Sequence, residues 1–564
     1  MKKALFLLLV IAFALMASAG IPKASQEGSM PDLDRLRAMT ARFSPVEIDA
    51  DVSRLPASER QVLAKLIECG KLIDTLFLRQ VWSGNEAMLA NLQQDVTPLG
   101  KARLLYFLIN KGPWSRLDEN LPFIPGAPSK PEGANFYPQG ATKTELAAWL
   151  QSLPESERNQ ATGFFTVIRK ASGAKPGFEA VPYSTEYRKE LTEAARLLRE
   201  AASLTSQPTL KAYLSSRADA FLSNDYYASD IAWMELDASI EPTIGPYEVY
   251  EDEWFNYKAG FEAFIAIRDN TETAKLAKLS TQLQDIENHL PMDPRYRNPK
   301  IGGMAPIRVV NEILASGDGN RGVQTAAFNL PNDERVIKEK GAKRVMLRNV
   351  QQAKFQMVLL PISRVVLSSA DQKNVSFDAF FTHIVMHELM HGLGPHQINV
   401  GGRSTTVRQE LKETYSAIEE AKADISGLFA LQYLVDKGVL DRSLIQTMYD
   451  TFLASAIRSI RFGINEAHGR GIAIQLNSLL DYGAFRIAPD GTFSVNPAKI
   501  KDGVAALTGD LLTLEAEGNY QKAQDRIKLL AVVRPEIKKS LDRLKDIPVD
   551  IEPKFPVVNR LAQK

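Results

Sequence analysis

Apolar positions divide the chain into a helical beginning, a mixed middle and a long helical later part. Between residues 57 and 82, Val62, Leu63, Leu66, Ile67, Leu72, Ile73 and Leu76 recur at helical spacing and predict a helix interrupted or bent near Gly70. Five prolines and two glycines in residues 121–138 require a loop. Thr142-Lys143-Thr144-Glu145 is a capping box, whose hydroxyl and carboxylate satisfy amides that a helix start leaves open. Residues 185–236, rich in Ala, Leu, Glu and Arg, predict two or more long helices. Residues 244–267 interleave aromatic and acidic side chains and predict a strand leading into an amphipathic helix. Residues 307–332 carry β-like runs around the turn Gly317-Asp318-Gly319-Asn320-Arg321-Gly322, and residues 354–368 are another apolar, β-prone segment. From Ser376 to about Leu530 the period is helical, with a polar excursion at Pro489-Asp490-Gly491-Thr492. Residues 20–52 are polar and irregular, and the tail, with Pro548, Pro553 and Pro556, is extended or loop. The fold class is α+β, predominantly helical.

Composition narrows the function classes. The 564 residues suit one large or two to three ordinary domains, and 45% hydrophobic with 24% charged residues suits a sizeable core. Lys2 and Lys3, the apolar residues 4–16 and Ala17-Ser18-Ala19 follow the signal-peptide order, with cleavage expected after Ala19. The apolar run is shorter than the roughly 20 residues of a spanning helix, so export to the periplasm or medium is expected, with no stable membrane association after cleavage. Without Lys2 and Lys3 the 68 basic residues become 66, one fewer than the 67 acidic. That balance gives no footprint for nucleic acid. Cys69 is the one cysteine and sits in an apolar helical pattern, as a buried core thiol. The turn at 317–322 matches GxGxxG, but no helix start follows it, which a dinucleotide fingerprint needs; it reads as a hairpin turn.

The chemistry gathers at His387-Glu388-Leu389-Met390-His391, an HExxH pattern. On a helix, positions i and i+4 share a face, so His387 and His391 reach one metal ion, and Glu388 lies one position round, beside an attacking water. Ser376 is a good N-cap for this helix, and Gly392, Gly394 and Pro395 end it. Phe380 and Ile384 share the histidine face, while Val385, Met386, Leu389 and Met390 cover much of the rest, as in a buried helix. Burying two imidazoles and a carboxylate there is costly unless they are paired or bind a metal.

A catalytic zinc takes three protein ligands and keeps one position open. Downstream, in Ile418-Glu419-Glu420-Ala421-Lys422-Ala423-Asp424, Glu420 and Asp424 stand at i and i+4. One can bind the metal and the other can accept the free N–H of a ligating histidine. Ala421, Ala423 and Gly427 let this helix pack closely on the first. The competing reading is a solvated charged turn with Lys422 as an intrahelical partner; HExxH upstream decides for a ligand. Glu388 then takes a proton from water as general base and passes it to the leaving amine, and the tetrahedral intermediate needs a Tyr or His donor. Of the other histidines, His383 suits helix packing, His396 a loop, and His468 lies far along the chain.

Taken together, motifs spread over residues 244–470 resemble the dipeptidyl-peptidase III family of zinc exopeptidases. IGPYEVYEDE is similar to the family segment with an acidic anchor and a catalytic tyrosine, which implies Glu248 on the substrate ammonium and Tyr250 at the transition state. Asn329-Leu330-Pro331-Asn332 resembles the family's N-x-P-N segment, with Asn329 and Asn332 holding the amino end of the peptide. EEAKADISGL resembles the EECRAE-type helix, which implies Glu420 as ligand with Glu419 and Asp424 behind the histidines. His468 is similar in placement to a histidine that helps stabilise the transition state. Four features depart from the pattern: the pentapeptide HExxH replaces HExxGH, Asp424 is shorter than Glu, Ala421 and Lys422 replace Cys and Arg, and a signal peptide is unusual beside the family's cytosolic members.

The resemblance implies one Zn2+ per chain, short peptide substrates and release of N-terminal dipeptides. A zinc endopeptidase or other zinc hydrolase on the same scaffold, and a non-catalytic peptide-binding protein, are the alternatives. It also implies a helical zinc lobe and a mixed α/β substrate lobe separated by a wide cleft. The expected organisation is a signal peptide at 1–19, an N-terminal helical and mixed lobe at 20–268, an interlobe region with β-prone segments of the substrate lobe at 269–365, the zinc lobe at 366–530 and a tail at 531–564. The sequence sets no oligomeric state.

Overall fold

The computed structural model describes residues 30–171, 177–301, 307–465 and 467–562; the expected signal peptide lies outside them. Helix α1 (Ala57–Val81) runs as one continuous element through Gly70. The glycine is there for a different reason: a Cβ would fall 2.9 Å from Leu314 Cδ2 on a strand packed against the helix. Helices α2 (Arg188–Leu204) and α3 (Pro208–Ser223) pair beside α1, and the capping box at Thr142 forms with both of its hydrogen bonds.

These helices back a five-stranded sheet of β1 (Ile240–Glu248), β2 (Gly260–Arg268), β3 (Ile307–Gly317), β4 (Ala327–Leu330) and β5 (Lys343–Leu347). The strand order is β1-β2-β3-β5-β4. Two expectations change here. Residues 260–268 form a strand instead of an amphipathic helix, because Phe261, Phe264 and Ile265 are buried between two hydrogen-bonded neighbours. The turn at 317–322 does not close a hairpin: β5 inserts between β3 and β4, parallel to the first and antiparallel to the second. Pairing across the sheet is non-local, so the turn between two strands does not reveal it.

Residues 354–366 are helical, not extended: α4 (Arg348–Lys354) continues through a π-turn at Phe355–Leu359 into α5 (Leu360–Val366). A short apolar run cannot separate buried helix from buried strand by period alone. Val350 and Ala353 belong to the core under the sheet, whereas Val358 and Ile362 belong to the second core, so this helix joins the two lobes. The second core is built mainly on α6 (Phe377–Met390), α7 (Tyr415–Asp436), α8 (Ser443–Ile460), α9 (Ala467–Tyr482) and α10 (Ile500–Glu517), with Val309 and Met346 of the sheet reaching into it.

Residues 30–52 and 531–562 form regular elements where composition predicts irregular or extended chain. Asp32 caps helix Leu33–Thr40 by accepting Arg35 N–H at 2.8 Å. Strand Phe43–Glu47 pairs in parallel with Asp550–Lys554, so the tail returns to the N-terminal lobe. Among the described residues no helix is long and apolar enough to cross a membrane. Cys69 is buried, and burial pushes its thiol up to about 12.

Candidate metal centre and the facing cavity

The HExxH residues end α6, which is buried among apolar neighbours on most sides. Ser376 holds the N-cap position, but its hydroxyl makes no cap; its amide instead donates to Thr451 Oγ1 at 3.0 Å. Helix α7 crosses α6 closely enough that a Cβ on Gly427 would lie 3.3 Å from the His387 amide nitrogen. That approach brings the acids of α7 against the histidines of α6.

The two imidazoles are oriented from behind. His387 Nδ1 donates to Asp424 Oδ1 at 2.8 Å, and His391 Nδ1 donates to Glu419 Oε1 at 2.8 Å. Both Nε2 atoms therefore carry lone pairs in the neutral rings, and they face one another at 3.1 Å. Glu420 Oε2 lies 3.4 Å from His387 Nε2 and 3.9 Å from His391 Nε2. His468 Nε2 is 3.2 Å from the same oxygen, and its ring faces that of His387 with centroids 6.2 Å apart. Despite these neighbours, no aligned hydrogen bond satisfies the buried Glu420 Oε2.

In those tautomers three electron-pair donors converge, which fits a cation. Donors about 2.0–2.2 Å from a tetrahedral zinc stand roughly 3.3–3.6 Å from one another, close to the 3.1, 3.4 and 3.9 Å found here. His387, His391 and Glu420 are the group among the described residues whose donor atoms come close enough to hold one ion. Electrostatics agree: burial opposes a charged His387, yet Asp424 and Glu420 outweigh it and raise its pKa well above the ordinary value. The acids that favour a proton there favour a divalent cation in its place.

Lys422 rules out the competing reading of a solvated turn: it pairs within the helix with Glu419, but in the core. It is fully buried, 2.8 Å from Glu419 Oε1, and its Nζ donates to the carbonyl oxygens of Met390 and Leu393, each at 3.1 Å. It thereby caps the end of the metal-site helix while fixing the carboxylate behind His391. His383 does take the packing role, with Nε2 against Asp424 O at 2.9 Å.

A cavity of about 600 Å³ opens beside Glu388. Glu248, Tyr250, Asn329 and Asn332, which the sequence singled out, all line it together with Glu388. Asn332 is held by its Nδ2 donating to Tyr247 O at 3.0 Å. Burial, then Asp318, pushes the Glu248 carboxyl up to about 7. Glu248 in turn raises the Tyr250 pKa, so the hydroxyl keeps its proton, on a side chain 66% exposed.

Three further cavity residues were not anticipated. Glu262 is buried on β2 with Oε1 unsatisfied, and burial together with Asp318 and Glu248 raises its pKa well above the ordinary value. Asp318 is also raised by burial, against the pull of Arg321. The acids Glu248, Glu262 and Asp318 gather at one end of the cavity, where Arg321 pairs with Asp318. An acid within the apolar run of β2 was the available signal for Glu262. Arg344 has no such signal: it meets Glu388 only through the fold, with Nε 3.1 Å from Oε2.

Comparison with known proteins agrees with this arrangement. The model of peptidase family M49 matches residues 170–398. The structure of dipeptidyl-peptidase III from Corallococcus sp. strain EGB is 62% identical, with 95% of this chain and 99% of that one covered and a TM-score of 0.79. The dipeptidyl-peptidase III structure from Caldithrix abyssi is 47% identical, over 93% of this chain and all of that one, with a TM-score of 0.89. An Arabidopsis thaliana protein named Nudix hydrolase 3 is 42% identical over 93% of this chain but 74% of its own length. Roughly a quarter of the plant protein thus lies outside the match, whereas both solved structures are matched end to end. The helical metal-site lobe, the mixed lobe carrying the sheet, the HExxH helix and these full-length likenesses place the chain in the dipeptidyl-peptidase III family of metallopeptidases.

Proposed function

We propose that this metallopeptidase is a zinc enzyme that releases dipeptides from the free amino ends of short peptides. The observation that carries the reading is the convergence of His387 Nε2, His391 Nε2 and Glu420 Oε2 beside Glu388, which also lines a cavity with an acidic end. A zinc ion at those three atoms supplies Lewis acidity to the scissile carbonyl and to a water. The chain's own groups do the rest. Glu388 accepts the proton of the attacking water on a carboxylate oxygen and returns it to the leaving amine. Tyr250 and His468 donate to the oxygen that becomes negative in the transition state. Asp424 and Glu419 hold the two imidazoles in their ligating tautomers.

Glu248 pairs with the substrate ammonium, and Asn329 and Asn332 hold the backbone behind it. An internal stretch of peptide would leave that carboxylate buried and unpaired, which selects for chain ends. The basic, apolar and small-residue order of residues 2–19 supports export of the enzyme, with peptides outside the cytoplasm as its substrates. The test of the chemistry is Glu388→Ala: turnover is lost while about one zinc per chain is retained. Wild-type protein that binds peptides without cleaving them would make it a binding protein, and failure to take up zinc would remove the metal centre.

A further inference from the structure

One side chain on the sheet holds Glu388 from across the cavity, and the chemistry above does not use it. Arg344 lies on β5 in register with Asn329 on β4, and both residues line the cavity with Glu388. Arg344 Nη1 donates to the Glu388 carbonyl oxygen at 2.8 Å. That carbonyl is among the last four of α6, which a helix leaves without internal donors. The amide four residues on, Gly392 N–H, donates to Leu389 O instead. Arg344 supplies the missing donor, and its Nε stands 3.1 Å from the Glu388 carboxylate. The Nε makes no aligned hydrogen bond, so charge draws the carboxylate without locking it in one orientation. A guanidinium fork serves both points at once, whereas a lysine ammonium serves one.

The geometry points to Arg344 as a positioning residue, one that fixes the Glu388 backbone and aims its carboxylate into the cavity beside the strand that holds the peptide. The two lobes thus share one connection at the point where base and substrate meet. Arg344 is turned to the enzyme's own base, at 17% side-chain exposure. The inference rests on the general-base reading of Glu388.

The test compares wild type, R344M, R344K and E388Q by steady-state kinetics on one free-amino peptide, with zinc content and thermal midpoint measured alongside. R344M is expected to lower kcat about 10- to 100-fold, the cost of a displaced catalytic group, with KM changed less than about threefold and zinc retained. R344K, which keeps one of the two contacts, is expected between R344M and wild type. A kcat for R344M within about twofold of wild type, or a loss that falls entirely in KM, overturns the inference. If R344M does not fold, R344K decides: a kcat equal to wild type overturns the inference, and a partial loss at unchanged KM supports it. Turnover retained by E388Q overturns the general-base reading itself, whereas an inactive E388Q beside a fully active R344M overturns this inference alone.

Discussion

Asp424→Asn is the sharpest probe of how the metal site is built, because it changes one charge and no volume. Asp424 Oδ1 accepts the His387 Nδ1–H at 2.8 Å, and Oδ2 accepts Gln475 Nε2 at 3.2 Å. An asparagine that keeps its oxygen on His387 must turn its NH2 toward the Gln475 NH2, donor against donor. Gln475 escapes by flipping only if it gives up its other bond, Nε2 to Gly471 O at 3.2 Å. The alternative asparagine orientation aims NH2 at His387 and forces the ring to the tautomer that cannot ligate through Nε2. Both outcomes weaken the ligand, and loss of an acid behind a metal-binding histidine costs about 10- to 100-fold in affinity. That is roughly 1.4–2.8 kcal/mol. Competition with a zinc chelator of known affinity at neutral pH measures it, with intact folding checked separately. A change below about threefold would refute the account of how His387 is oriented.

Removing Lys422 tests the buried pair behind His391. Lys422→Met leaves Glu419 without its buried cation and two carbonyls without donors. Unfolding by urea should show a loss of about 3–5 kcal/mol, and a loss below about 1 kcal/mol would contradict the role. Glu248, pushed up to about 7 by burial and then by Asp318, is neutral below that pH and cannot pair with an ammonium. Accordingly kcat/KM for peptides with a free amino end should fall as pH drops through about 7, and the fall should vanish in Glu248→Gln. Its stability effect has the opposite sense. The folded carboxyl binds its proton more tightly than the unfolded one, so stability contributed by Glu248 is present below about 4.5 and lost as pH rises toward about 7. Glu248→Gln should therefore stabilise the ligand-free protein at pH 8, read as a higher thermal midpoint; a lower midpoint would contradict the burial.

What could be read from the sequence was what local spacing controls. HELMH and EEAKAD each lie within about one or two helical turns, so the faces they present follow from residue spacing alone. The long helices and the capping box at Thr142 are legible for the same reason. Strand order is not, since the insertion of β5 between β3 and β4 depends on partners far apart in the chain. Residues 260–268 and 354–366 depart from the predicted elements because short buried runs look alike as helix and strand until their neighbours are known. The same limit applies to the site. From the sequence Lys422 has no role beyond a partner within its own helix, while the fold carries it to the carbonyls that end α6, and Arg344 meets Glu388 from another lobe. Glu262 stood in plain view within an apolar strand, but only the fold brings it beside Glu248 and Asp318.

Measurement by peptide length and chain end is the claim on which the proposed function stands, and mass spectrometry of the products tests it most directly. A pool of short peptides is incubated with the zinc-loaded protein, in matched forms with free and with acetylated amino ends. The account predicts dipeptides cut from the free amino ends and little cleavage of the acetylated set. Acetylated peptides cut equally well, or fragments arising from internal bonds, would contradict it.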